Sequence, residues 1–221
     1  MTKGIKKALA IGHISFLGVL MAIPALGAAD DSALPDPRLE SEVSLEEAIQ
    51  QRRSIRSYSE TTLTQAQIAQ LCWAAQGITD PHRSLRASPS AGATYPLVLY
   101  VATAEALYRY SVEDHRLERQ IERDLRPALR AASLDQMMVE TAPAVFIIAA
   151  DHRPTERRYG GRAERYVLME VGHAGQNILL QAVALGLGAV PIGAFNDERV
   201  GRILALPDTQ RPYYIIPVGV P

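Results

Sequence analysis

Seven consecutive apolar residues, Ala144-Val145-Phe146-Ile147-Ile148-Ala149-Ala150, most constrain how this chain folds. An apolar run of that length without polar alternation reads as a strand buried on both faces. Such a strand needs cover on both sides, and strands and helices alternate along the chain without a strict βαβ rhythm. The longest helical pattern, Arg162 to Leu187, follows it and is rich in Ala, Leu, Val and Gly. Its Gly172 and Gly175, with Gly186, would permit close approach of another backbone.

Around this centre the pattern predicts a short helix over Leu45 to Arg52. A second helix opens on the capping-box spacing Thr64-Gln65-Ala66-Gln67, runs to about Gln76 and stops at Gly77. Residues 79–94 read as a loop. Leu97 to Thr103 reads as a strand, with Leu107 to Ser111 as its hairpin neighbour. Glu122 to about Glu140 reads as helix in two pieces around Pro127 and Ser133, and 151–161 as a charged loop. A short buried strand over Ala189 to Ala194, a helix over Glu198 to Leu204 and a last strand over Tyr213 to Val218 complete the chain.

The N-terminus follows another logic. Lys3, Lys6 and Lys7 precede an apolar run from Ala8 to Ala29, broken by Pro24 and ending in small residues. That is the order of a secretory signal, cleaved after Gly27 or Ala29, which directs the protein to the periplasm or the extracellular space. Left uncleaved, residues 1–29 would form a membrane anchor. Residues 30–42, with Pro35 and Pro37, read as a linker or arm to a domain spanning 43–221. The whole chain carries 23 basic and 24 acidic side chains; cleavage removes three lysines and no acid, leaving 20 against 24 and a formal charge of −4. That balance excludes a nucleic-acid surface. The single cysteine, Cys72, excludes an intrachain disulfide and lies in an apolar run as a small buried residue.

Against that near-neutral background, Arg52-Arg53-Ser54-Ile55-Arg56 concentrates three guanidinium groups in five residues. Arginine offers a planar fork of donors that matches phosphate or carboxylate oxygens. A basic turn paired with Glu46, Glu47 and Glu60 is the plainer alternative. The loop Ser88-Pro89-Ser90-Ala91-Gly92-Ala93-Thr94-Tyr95-Pro96 is a rigid, low-profile backbone on which a flat ligand can lie. Pro191-Ile192-Gly193-Ala194 offers a second small-residue surface. The glycines of 186–193 do not make a dinucleotide turn, because they lead from helix to strand. Glu170 and His173 have half of a di-iron carboxylate spacing without the other half. They read as helix-interface polar residues, and no metal is expected.

Arg52-Arg53-Ser54-Ile55-Arg56 with Tyr58, Trp73 to Thr79, Pro89 to Pro96, Leu107 to Tyr110, Gly172 to Asn177 and Leu185 to Gly188 occur in that order. Together they resemble the nitroreductase family of flavoproteins, and more narrowly its SagB/ThcOx-type dehydrogenase branch, over roughly residues 45–221. The resemblance implies an α+β, nitroreductase-like fold with a mixed central β-sheet flanked by helices, non-covalently bound FMN and a homodimer with its active sites at the subunit interface. It assigns Arg52, Ser54 and Arg56, with Arg53 beside them, to the FMN phosphate. Pro89, Ser90, Ala91 and Gly92 would pack on the isoalloxazine from the other subunit. Pro191, Ile192, Gly193 and Ala194 would run along the ring, with a backbone N–H near N5, and Gln136 would reach its pyrimidine edge. The implied activity is oxidoreduction. NAD(P)H would reduce the flavin, and hydride or electrons would pass through N5 to or from a small electron-poor substrate such as a nitroaromatic, quinone or conjugated carbonyl. A non-catalytic flavin-binding protein on the same fold is the other reading. Peptide-azoline oxidation in the SagB branch uses a Lys-Tyr pair; here that position reads Arg158-Tyr159. Arginine cannot serve as a base, which leaves Tyr159 as the candidate proton donor or acceptor.

Overall fold

The computed structural model describes Met1 and residues 33–221. The expected signal or anchor segment therefore lies, apart from Met1, outside the described residues. In chain order the elements are α1 (Leu45–Gln51), α2 (Gln65–Gln76), β1 (Ile78–Asp80), β2 (Leu85–Arg86), β3 (Leu97–Ala102), β4 (Leu107–Ser111), β5 (Arg116–Ile121), α3 (Arg126–Ala132), α4 (Met138–Thr141), β6 (Ala144–Asp151), α5 (Arg153–Tyr159), α6 (Ala163–Ala184), β7 (Gly188–Ala189), α7 (Asp197–Ile203) and β8 (Gln210–Gly219). Six strands form the main sheet in the order β5-β4-β3-β6-β8-β7, and β1 pairs with β2 apart from it.

The apolar run becomes β6, paired with β3 on one side and β8 on the other. Because strand side chains alternate, its residues divide between two cores. Phe146, Ile148 and Ala150 join Leu71, Val167, Val171 and Ile178 beneath α2 and α6. Val145, Ile147 and Ala149 join Leu129, Val139, Val200 and Leu204 beneath α3, α4 and α7. Phe146 and Ile147 are both wholly buried, one on each face. The capping box is realised as read. The Thr64 side chain accepts from Gln67 N–H, Thr64 N–H donates to the Gln67 side chain, and Gly77 caps the far end of α2.

Several expectations are corrected. The sheet is antiparallel throughout rather than mixed; among the described residues the parallel pairing is an isolated bridge between Ser54 and Ala189. The 79–94 loop contains the small β1–β2 hairpin. β5, absent from the sequence reading, is an edge strand whose Arg116, Glu118, Arg119 and Gln120 hide its period. The charged loop at 151–161 is largely helix α5. The Asp151 carboxylate accepts from Arg153 N–H at 3.0 Å, and Pro154 sits in the first turn, where its missing N–H costs nothing. The strand expected over 189–194 shrinks to β7 plus one bridge from Ile192 to Ile215, since Pro191 cannot donate to a ladder. Within the chain no backbone approaches these glycines: Gly175 of α6 faces the Tyr214 ring, while a Cβ at Gly172 of α6, or at Gly186 beyond its end, would meet open space.

Residues 33–38 lie along the domain. Ala33 bridges Arg116, Leu34 N–H donates to His115 O, and the Gln70 side chain both accepts from Arg38 N–H and donates to Arg38 O.

Candidate functional site

The sequence-predicted residues gather into two groups. The first centres on the arginine segment. Arg52 caps α1, its N–H donating to Ala48 O. Ser54 pairs with Ala189, and Ile55 N–H donates to Ala189 O at 3.1 Å. Tyr58 donates its hydroxyl to Ile55 O and approaches Pro217 O at 3.1 Å, pinning the segment to β8. Two glycines make the fit close. A Cβ on Gly188 would lie 2.6 Å from Ile55, and one on Gly219 2.8 Å from the Tyr58 ring. Burial raises the Tyr58 phenol far above its ordinary pKa, with Arg56 acting the other way. This hydroxyl stays neutral and structural.

The backbone is fixed while the side chains are not. Arg53 donates only to the carbonyls of Gln50 and Arg52, and Arg56 only to Ser54 O. Among the described residues none of Arg52, Arg53 and Arg56 pairs with a carboxylate, so the expected alternative of pairing with Glu46, Glu47 and Glu60 is not realised. Beyond Ala189, the chain runs through Pro191 and Ile192 to the exposed Gly193 and Ala194. Ile192 spends its N–H on Ile215 O. Any outward donor in this stretch therefore belongs to Gly193 or Ala194. Gln136 sits at the same end, donating to Ser133 O and to Ala194 O.

The second group is the loop. Gly92, Ala93 and Tyr95 all have left-handed backbone, at φ 59°, 54° and 45°. For alanine and tyrosine that conformation is costly and persists only where surroundings enforce it. Here the enforcement comes from three helices. The Ser88 hydroxyl donates to Ala75 O of α2. From α6, Asn177 donates to Ser88 Oγ, and buried Glu170 accepts from Ala91 N–H at 2.9 Å. From α5, Thr155 bonds Thr94 at 2.9 Å, and Arg158 donates to Gly92 O at 2.8 Å. Within the loop, Ser90 Oγ accepts from Tyr95 N–H. Pro89 is exposed and Ser90 and Ala91 half-buried, so a low face remains open. Tyr159 lies beside Gly92, where an added Cβ would meet its hydroxyl at 2.6 Å, and its ring packs edge-on against Tyr166.

No hydrogen bond or ion pair among the described residues joins the two groups. Glu170 touches the loop, whereas β7 starts beyond the end of α6, and residues 170 to 184 span about 21 Å of helix. Sequence reasoning missed Glu170, Asn177 and Thr155 as loop supports. Glu170 and Asn177 are seven residues, or two helical turns, apart, so both face the same side of α6. That spacing was the available signal.

Comparison with known proteins gives these observations a context. The Nitroreductase family model matches residues 49–220. A proposed nitroreductase of Methanocaldococcus jannaschii is 40% identical over 200 residues, covering 88% of this chain and 98% of its own. The crystal structure of a proposed nitroreductase from Ralstonia eutropha JMP134 matches with a TM-score of 0.76 at 26% identity, covering 85% of this chain and 88% of that one. The NADPH:FMN oxidoreductase of Vibrio harveyi, solved with NAD+, shares the fold at a TM-score of 0.61 and 20% identity, over 80% of this chain and 68% of its own.

Proposed function

This chain belongs to the nitroreductase family, and from that premise we propose that it is an FMN-dependent oxidoreductase acting on a small electron-poor substrate such as a nitroaromatic, quinone or conjugated carbonyl. The observation that carries the reading is the arginine segment. Three guanidiniums with no carboxylate partner among the described residues are held by their backbone beside a strand end of small, exposed residues. That donor set suits a phosphate monoester, and the flat surface at Gly193 and Ala194 suits an aromatic ring. Arg52, Arg53, Ser54 and Arg56 would hold the phosphate. Pro191, Ile192, Gly193 and Ala194 would lie along the ring, Gln136 would sit near its pyrimidine edge, and Pro89, Ser90, Ala91 and Gly92 would pack on its face. When bound, FMN supplies two-electron exchange between a donor, NAD(P)H in the first instance, and the organic acceptor.

Because the loop and the arginine segment stand apart in one chain, we propose a homodimer in which each complete site takes its loop from the partner. Tyr159, beside Gly92, is the candidate proton donor or acceptor. Oxidation of a peptide azoline, the SagB-type reading, has less support: Arg158 is spent on Gly92 O and cannot accept a proton at any ordinary pH. Export through a cleaved residue 1–29 segment would place the protein where nicotinamide is scarce, with a quinone or partner protein as donor; retention of that segment would make it a membrane anchor. The mature N-terminus by mass spectrometry distinguishes the two.

The test is the flavin content of the purified protein. A yellow protein that releases one FMN per chain and is reduced by NADH, NADPH or a quinol supports the proposal. A colourless protein that ignores added FMN overturns it. Bound FMN that no donor reduces would favour a non-catalytic flavin-binding protein.

A further inference from the structure

Residues 157–166 carry four arginines and one glutamate, in a chain whose whole balance is 23 basic to 24 acidic side chains. Eight arginines of the described chain pair with a carboxylate, and Arg157, Arg158, Arg162 and Arg165 are not among them. All four are exposed, as are Glu156 and Glu164, the carboxylates nearest in sequence. Three of the four stand beside the loop. Arg158 donates one N–H to Gly92 O at 2.8 Å; a guanidinium has five, so donors remain. Its guanidinium carbon lies 5.7 Å from the Tyr159 ring centre, and the Tyr159 ring meets the Tyr166 ring edge-on at 4.9 Å. Tyr166 is one turn of α6 before Glu170, which accepts from Ala91 N–H. Arg162 is one turn before Tyr166 on the same face, and Arg165 neighbours Arg162 at i, i+3. Residues 162 to 170 span about 12 Å of helix. The low face of residues 89–92 thus continues into two half-buried tyrosine rings bordered by guanidiniums. Neither the proposed phosphate contacts at residues 52–56 nor the proposed ring contacts use Arg162, Arg165 or Tyr166.

We propose that Arg158, Arg162 and Arg165 form a specificity site for an anionic group, phosphate or carboxylate, carried by the aromatic substrate that lies over the loop. The proposal rests on the reading that residues 89–92 pack on the FMN ring. α5 and α6 anchor the loop and carry the cluster, so both reach the ring together, whichever subunit supplies them. The tyrosine rings offer an apolar face to a base or a substituted benzene, and the guanidinium forks match the oxygens of its anionic substituent. Two carriers have this chemistry: a nicotinamide donor with the extra phosphate monoester that separates NADPH from NADH, and an electron-poor acceptor bearing a carboxylate. Because the arginines face water, the attraction weakens with salt.

Two matched pairs test this on the FMN-loaded protein. Stopped-flow bleaching compares NADPH with NADH; after reduction by dithionite, flavin reoxidation compares 4-nitrobenzoate with 4-nitrobenzamide. At low salt the anionic member of at least one pair should react about tenfold faster at subsaturating concentration, and the pair that shows it identifies the carrier. The preference should shrink at high salt and disappear in the double variant Arg162→Gln, Arg165→Gln. The corresponding double lysine variant, which keeps the charge, should retain most of it, a rescue that a merely structural role would not produce. FMN affinity of the glutamine variant should match wild type. Equal rates within both pairs, or a preference that survives in the glutamine variant, overturns the proposal and leaves the flavin reading intact. Loss of FMN affinity in the glutamine variant overturns it in favour of a contact to the FMN phosphate. A protein that binds no FMN, or whose bound flavin exchanges electrons with none of the four compounds, overturns the oxidoreductase reading and this proposal with it.

Discussion

Residues 52–56 are held by their backbone and leave their side chains free, whereas residues 88–95 are held by side chains from three helices and leave a backbone surface free. The arginine segment hydrogen-bonds to Ala189 and is pinned by Tyr58. The loop is tied by Ser88, Thr155, Arg158, Glu170 and Asn177. The difference matches the two halves of an organic phosphate ligand. A charged end would be met by side chains left free to close around it, and a flat end by a surface whose shape is set beforehand, so that little ordering would be left to binding. Substitutions should divide accordingly, with the arginine segment losing affinity at constant stability and the loop losing both.

The largest effect is expected at the arginines. Arg52→Ala and Arg56→Ala should each weaken FMN binding by about tenfold to a hundredfold, as expected for loss of a charge-assisted bond. The melting temperature of the apoprotein should stay within error, since neither guanidinium holds another element. Added salt should narrow the gap between wild type and variants, because these side chains face water. Isothermal titration with FMN at two ionic strengths measures this. Full retention of affinity in both variants would return the segment to the surface and remove the contrast.

Next is Gly188→Ala, which touches no proposed ligand contact. The new Cβ would lie 2.6 Å from Ile55 Cγ2 and 2.7 Å from Ile55 Cβ. A branched side chain cannot swing clear at that distance, so Ile55 and the arginines flanking it must shift. Overpacking of this kind costs about 1–3 kcal/mol, visible in a denaturant melt, with FMN affinity falling alongside. Gly92→Ala should cost less, about 1–2 kcal/mol for a left-handed alanine. Its Cβ meets the ends of two side chains, Arg158 and the Tyr159 hydroxyl, which can shift, although the bond to Gly92 O would be strained. A Gly92→Ala protein that keeps its stability but loses flavin would contradict a loop held rigid by its anchors.

The legible and illegible parts of the sequence differ in one respect. β6 was readable because seven apolar residues leave no other explanation, and its division into two cores follows from alternation alone. The start and stop of α2 were readable because Thr64, Gln67 and Gly77 act on residues within one turn of themselves. β5 was not, because an edge strand that faces water is selected for charge rather than for period. α5 was not, because its stability comes from Asp151, Pro154 and its grip on the loop rather than from an apolar stripe. The arginine segment announced itself by charge density. Glu170 did not, since its partner is a backbone N–H 79 residues away that no local pattern encodes.

The smallest predicted effect tests the loop most directly. Ala93 is left-handed at φ 54° with no glycine to ease it, a conformation that costs an alanine about 1–2 kcal/mol. Ala93→Gly removes that strain, but it also widens the conformational freedom of the unfolded chain by about 0.4–1 kcal/mol. The two nearly offset, so the melting temperature should rise slightly or stay unchanged. The affinity for FMN should nonetheless fall by a few-fold, since a glycine gives the loop alternative shapes that the alanine forbids. At the arginine segment the corresponding change, Ser54→Gly, removes the candidate phosphate-binding hydroxyl but leaves the Ile55-to-Ala189 hydrogen bond in place. Stopped-flow release of FMN from the two variants separates the cases. Faster release from Ala93→Gly at unchanged stability is the signature of a surface whose shape is set before the ligand arrives.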